Sequence, residues 1–231
     1  LISEGLGKKW KPVAIFFAVA GMIGVSPMFQ ANQLTQIMKD VIFVPNMSVV
    51  PANINLYIGI ALAAIVGVVI FGGVTRIGLV AGKVVPLMVI IYGISVVWIM
   101  AVNNEHILPS LKLIITDAFT GQAVLGGAVG SLIIIGVRRA SFSNEAGLGT
   151  ASMAHGAAKT REPVREGLIA MLGPILDTMV VCTMTALALI ITGVWNNPSV
   201  DGVTMTTLAF EIGMPGFGKY ILLVSVLFFS L

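Results

Sequence analysis

The sequence predicts an all-α fold, a polytopic bundle of membrane helices containing about six spans, the last of them truncated. Three observations lead there. Hydrophobic residues make up 57% of the 231 and charged residues only 10%, with a mean hydropathy of +1.02. A soluble domain carries about 25% charged residues, and no water-soluble core of this size encloses so much apolar surface. Next, the apolar residues gather into runs near the ~20 residues that cross ~30 Å of hydrocarbon. Finally, the runs are continuous and long, without the alternation of period two and the ~10-residue segments of a porin-like barrel.

The first run covers residues 12–38 and follows the basic stretch Lys8, Lys9, Trp10, Lys11, with Pro12 suited to a first helical turn because its missing N–H is not needed there. A second covers 54–74 and a third 79–102, with Arg76 and Lys83 in or beside the connection and Pro86 predicting a kink. The fourth, 109–137, is interrupted by Gly126, Gly127 and Gly130; the fifth, 164–195, is expected to break at Gly173 and Pro174. The sixth, 219–231, is too short to span. With Leu1 in place of an initiator Met, both ends read as cut, and the whole reads as one membrane domain fragment.

Sorting the connections alternately puts ten basic residues on one side (Lys8, Lys9, Lys11, Arg76, Lys83, Arg138, Arg139, Lys159, Arg161, Arg165) and three on the other (Lys39, Lys112, Lys219). The positive-inside rule then makes the Lys8–Lys11, Arg76 and Arg138–Arg165 loops cytoplasmic. The stretch 195–218, with a short apolar segment at 205–212, would lie over the outer face or serve as a plain connector. The formal charge of +3 is explained by these topology residues and gives no reason to invoke nucleic acid. Cys182 stands alone and reads as a small packed hydrophobe.

Four places carry chemistry. Three glycines in five positions at Gly126–Gly130 forgo helix propensity. They serve either close helix packing or an unwound stretch whose main-chain groups bind a zwitterion and its coupling ion. In the first run Phe29, Gln30, Asn32, Gln33, Thr35 and Gln36 make the second half polar. Carboxamides offer donors and acceptors without charge, so Gln30 and Asn32 suit a ligand or a water-filled path; the alternative is interhelical hydrogen bonding, worth ~0.6 kcal/mol on average. Asp177, beside Thr178, is an acid well inside an apolar run. Such an acid costs roughly 2.5–3.5 kcal/mol at a span centre, so it marks either a proton or cation relay or a carboxylate that ties down the cytoplasmic loop. Asp117 reads as a wetted residue at the mouth. The polar segment with Arg138, Arg139, Ser143, Asn144 and Glu145 reads as a folded gate with internal ion pairs or as solvated linker. His155 has no partner at metal spacing and reads as structural. Phosphate loops, nucleophile elbows and cofactor boxes are missing from the sequence, which predicts neither enzyme activity nor a cofactor.

The run Arg138-Arg139 followed by Phe142-Ser143-Asn144-Glu145-Ala146-Gly147-Leu148-Gly149 resembles the sodium:alanine symporter family. The likeness extends through Ala154-His155, Pro163-Val164 with Gly167, Gly173-Pro174, Asp177-Thr178, Ala118-Phe119, Gly126-Gly127, Gln30 and Asn32. Gly72-Gly73 with Arg76-Ile77, and Val85-Pro86-Leu87-Met88, also look like this family, so the resemblance covers essentially the whole chain.

What the resemblance implies is a leucine-transporter-like core of inverted repeats and sodium-coupled symport of a small neutral amino acid, alanine or glycine, across the cell inner membrane by alternating access. The six runs look like the third to eighth core helices. Phe29, Gln30, Asn32, Gln122, Val124, Gly126 and Gly127 are then candidate substrate contacts, and Na⁺ is the coupling ion. Most sodium ligands, and half of the substrate site, would lie in segments of the protein before Leu1 and after Leu231, so the fragment alone is expected neither to bind nor to transport. The alternatives are a cation- or proton-coupled symporter for another small solute, and a channel or structural membrane subunit.

Overall fold

The computed structural model describes residues 2–24, 28–47, 50–51, 53–119, 134, 137 and 149–230, without the side chains of 23, 118 and 119. All regular structure among them is helical, with no strand. After a short turn at Ile2–Gly5, the helices are α1 (Lys11–Gly24), α2 (Met28–Met38), α3 (Ile54–Ile70), α4 (Gly73–Val102) and α5 (Ile107–Phe119). They continue with α6 (Ala151–Gly156), α7 (Pro163–Pro174), α8 (Thr183–Ile191), α9 (Gly202–Gly213) and α10 (Gly218–Ser230).

Two helices among the described residues are long and apolar enough to cross a membrane: Gly73–Val102, of 30 residues, and the continuous stretch Pro163–Ile191, of 29. The third apolar run therefore starts earlier than its hydropathy suggests, and Arg76 lies inside α4, as Lys83 does, instead of in a connection. The geometry tolerates this because the uncharged stretch 84–102 alone rises about 28 Å at ~1.5 Å per residue, enough for the hydrocarbon. Pro86 is accommodated within α4, where it withholds a donor from the Gly82 carbonyl without ending the helix.

The expected break at Gly173-Pro174 is corrected by the structure. The helix carries on through them as a π-helix, Ile175–Cys182, before returning to α8. Proline lacks the N–H that would bond the carbonyl four residues back and its ring crowds that carbonyl; a wider i→i+5 turn absorbs both without unwinding the chain. A second π-helix, Lys39–Phe43, extends α2 and runs directly into Val44–Asn46, which contains Pro45.

The chain divides into two compact units. Unit 1 comprises residues 1–26 and 115–183; unit 2 comprises 27–114 and 184–231. In unit 2, α10 packs on α2, α4 and α9, and α9 packs also on α2 and α4, while α3 lies against α2 and α4. The core they enclose is Leu34, Ile37, Val41, Val96, Ile99, Ala188, Phe210 and Leu222. Phe210 stacks on Tyr92 with ring centroids 5.6 Å apart, and Tyr92 Oη pairs with Thr185 Oγ1 at 2.6 Å, so α4, α8 and α9 meet at one side chain. Close approach here depends on glycine: a methyl on Gly218 would overlap the Phe210 carbonyl, and one on Gly213 would meet Ile99 Cγ1 at 2.6 Å.

In unit 1, α6 packs on α7, and Phe17 of α1 lies beside Gly149, whose φ of +78° is open to glycine. The segment 195–218, read from sequence as lying over the outer face or as a plain connector, contains the 12-residue α9, with Ala209, Phe210 and Gly213 buried.

Candidate functional site

The polar half of the first apolar run is α2, which belongs to unit 2. Its buried stripe is Leu34 and Ile37, and Gln30 stands on the same stripe one turn earlier, at the i, i+4, i+7 spacing of a single helix face. Gln30 is exposed, as are Asn32, on the opposite side by helical periodicity, and Phe29, 59% exposed. The remaining polar residues of α2 are committed to structure. Thr35 Oγ1 donates to the Ala31 carbonyl at 2.7 Å, and Gln36 Nε2 donates to both carboxylate oxygens of Asp40, at 2.9 and 3.1 Å. Gln33 Oε1 accepts the Val203 N–H at 2.9 Å. Of these six α2 residues, then, Gln33, Thr35 and Gln36 are engaged, while Phe29, Gln30 and Asn32 are exposed.

Asp177 and Thr178 sit in the π-helix of unit 1, both half-buried. The π turn places the carboxylate where the backbone hydrogen-bond register is changing, a setting common at functional sites. Asp117 is exposed on α5. The candidates Gln122, Val124, Gly126, Gly127, Arg138, Arg139, Ser143, Asn144 and Glu145 lie outside the described residues.

Two polar pairs escaped the sequence reading. His155 Nδ1 lies 2.7 Å from Glu166 Oε1, joining α6 to the first turn of α7, where a carboxylate is favoured by the helix dipole. The signal was their position on either side of the short turn 157–162, which folds the two helices back on each other. The other is Lys219, 3.6 Å from Glu211 Oε1 with its ammonium 5.5 Å from the Tyr220 ring centroid.

A groove of about 540 Å³ on unit 2, lined by Val89, Ile90, Gly93, Ile94, Val97 and Trp98, has almost purely carbon walls. It offers nothing to an ammonium or a carboxylate, whose burial without partners is costly. Among the described residues, the exposed carboxamides of α2 are the better match to a zwitterion.

A model of the sodium:alanine symporter family matches residues 1–231. The chain belongs to this family. It is a family of transporters, not of enzymes. An "Uncharacterized transporter" of Haemophilus influenzae is 42% identical over 236 residues, covering 99% of this chain and 50% of that protein. A sodium/alanine symporter of Methanococcus maripaludis is 36% identical over 233 residues, covering 100% of this chain and 49% of its own. A Bacillus subtilis protein named "Probable sodium/glutamine symporter" is 32% identical over 230 residues, 99% of this chain and 46% of its own. The chain spans about half the length of the curated relatives it matches.

Proposed function

We propose that the chain is part of a sodium-coupled symporter that carries a small neutral amino acid, alanine or glycine, across the cytoplasmic membrane by alternating access. The observation that carries this reading is the match to the sodium:alanine symporter family along the full length of the chain. The exposed carboxamides of Gln30 and Asn32, uncharged groups able both to donate and to accept, support it chemically.

On this reading the candidate substrate contacts are Phe29, Gln30 and Asn32, together with Gln122, Val124 and the main chain at Gly126 and Gly127. Arg138, Arg139, Ser143, Asn144 and Glu145 form the cytoplasmic gate. Sodium binding favours the substrate-competent, outward-open state, and occupancy of both sites permits inward closure. The ten-to-three distribution of basic residues supports an orientation with Lys8–Lys11 and Arg138–Arg165 inside. Asp177, half-buried in its π turn, would bind a cation or secure the cytoplasmic loop.

The test is uptake of labelled alanine by the full-length protein in vesicles, with sodium replaced by choline or lithium. Saturable, uphill uptake lost in choline is expected; uptake that persists without sodium removes the coupling claim, and passive equilibration would indicate a channel. Because one relative carries the name of a sodium/glutamine symporter, a larger neutral amino acid is the second reading. Competition by excess glycine against excess glutamine separates them. Gln30→Ala should raise KM about tenfold, the effect of losing roughly 1.4 kcal/mol of binding; an unchanged KM would remove Gln30 from the site.

A further inference from the structure

The N-terminus of α9 is held by a helix distant in sequence. Asp201 precedes α9 in extended conformation, φ −140° and ψ 171°, but its side chain makes no capping hydrogen bond. A helix start leaves backbone N–H groups without intrahelical partners, and these usually take a side-chain oxygen from the residue just before. Here the acceptor for the Val203 N–H comes from α2: Gln33 Oε1, at 2.9 Å. One residue on, Thr204 Oγ1 donates to Asp40 Oδ2 at 3.0 Å, and Asp40 is itself oriented by Gln36 Nε2. Gln33 and Asp40 are two turns apart and so lie on one face of the helix, with the fully buried Ile37 between them.

Residue 202 is glycine for two converging reasons. Its φ is +52°, and a Cβ there would stand 2.7 Å from Gln33 Oε1, displacing the cap. At the other end of α9, Phe210 stacks on Tyr92 of α4, Gly213 abuts Ile99 of α4, and Gly218 of α10 abuts the Phe210 carbonyl. Both ends of α9 are thus fastened to helices of the same unit.

We propose that Gln33 and Asp40 are positioning residues that clasp α9 to α2, so that Gly202–Gly213 moves as one rigid body with α2, α4 and α10 and does not swing as a separate lid. This deepens the transport reading by assigning the helix to a body, but the contacts that carry it do not depend on that reading. Two experiments on the full-length protein test it. The first is amide hydrogen exchange of Val203, Thr206 and Thr207 with and without sodium and alanine. Protection comparable to that of Val96–Ile99 in every condition is expected; exchange at least tenfold faster than those amides in any condition overturns the clasp. In the Thr204→Val and Gln33→Ala variants the same amides should lose at least tenfold protection while those of α4 keep theirs, and loss in both helices alike would reduce the two side chains to general fold stability. The second is Asp40→Cys with Thr204→Cys, bridged by a short reducible bis-thiosulfonate. Uptake within about twofold of the unbridged variant is expected, whereas uptake abolished by the bridge and restored by reductant means that α9 must detach. A wild-type protein with no uptake at all would instead count against the symport reading, and the exchange measurement would still decide the clasp.

Discussion

Glycines in this chain divide by what surrounds them, and single substitutions should expose the division. Adding a methyl to Gly218 drives it into the Phe210 carbonyl, a backbone atom that cannot rotate away. Overpacking of this kind costs typically 1–3 kcal/mol, so Gly218→Ala should lower the melting temperature in detergent. Gly93 in α4 has nothing within 4 Å. There Gly→Ala should leave stability unchanged or raise it by up to ~1 kcal/mol through helix propensity. Tyr92→Phe keeps the stack on Phe210 and removes only the hydroxyl that meets Thr185. The expected loss is about 0.6–1.7 kcal/mol, the range for polar contacts between membrane helices, read in the same melts. Residue roles were the least legible from sequence. Gln30, Asn32, Gln33 and Gln36 look alike in a sequence, and only the placement of α9 and Asp40 shows that Gln33 and Gln36 already have partners. His155 read as structural without its partner; Glu166 became visible only once the turn 157–162 closed.

At the scale of elements, the apolar runs and the described helices part at two places. The sequence reading put Arg76 outside the third run because charge and glycine lower the local average, yet the helix continues through it. It also expected a break at Gly173-Pro174 within the fifth run, where a π turn carries the chain onward. The same device recurs beside Pro45. If Pro174 maintains the π turn, Pro174→Ala restores a donor toward the Ala170 carbonyl and draws the following residues into ordinary α register. Amide protection across 175–182 should rise, and uptake by the full-length protein should fall at least tenfold as Asp177 is re-aimed. Unchanged uptake would mean that the π turn serves only to accommodate proline. The short apolar stretch at 205–212 had two readings, and burial of Ala209, Phe210 and Gly213 shows it to be a packed helix.

For the whole molecule, composition alone led to the all-helical class, because so few charges leave few other ways to satisfy the backbone in an apolar setting. The family could be recognised from Arg138-Arg139 through Gly149 and from Asp177-Thr178, since polar residues in such a sequence are sparse and their order is distinctive. The division into two units could not be read from the chain, because unit 2 joins residues 27–114 to 184–231 across a long intervening stretch. That discontinuity bears on how the protein is made. Leu34 and Ile37 leave the ribosome long before Phe210 and Leu222, the side chains that complete their enclosure. At 5–20 residues per second the gap between Leu34 and Phe210 is roughly 10–35 s. Through that interval Leu34, Ile37 and the Gln33 carboxamide lack the partners that α9 brings, so nascent chains stalled between residues 38 and 200 should be degraded faster than chains that already carry α9.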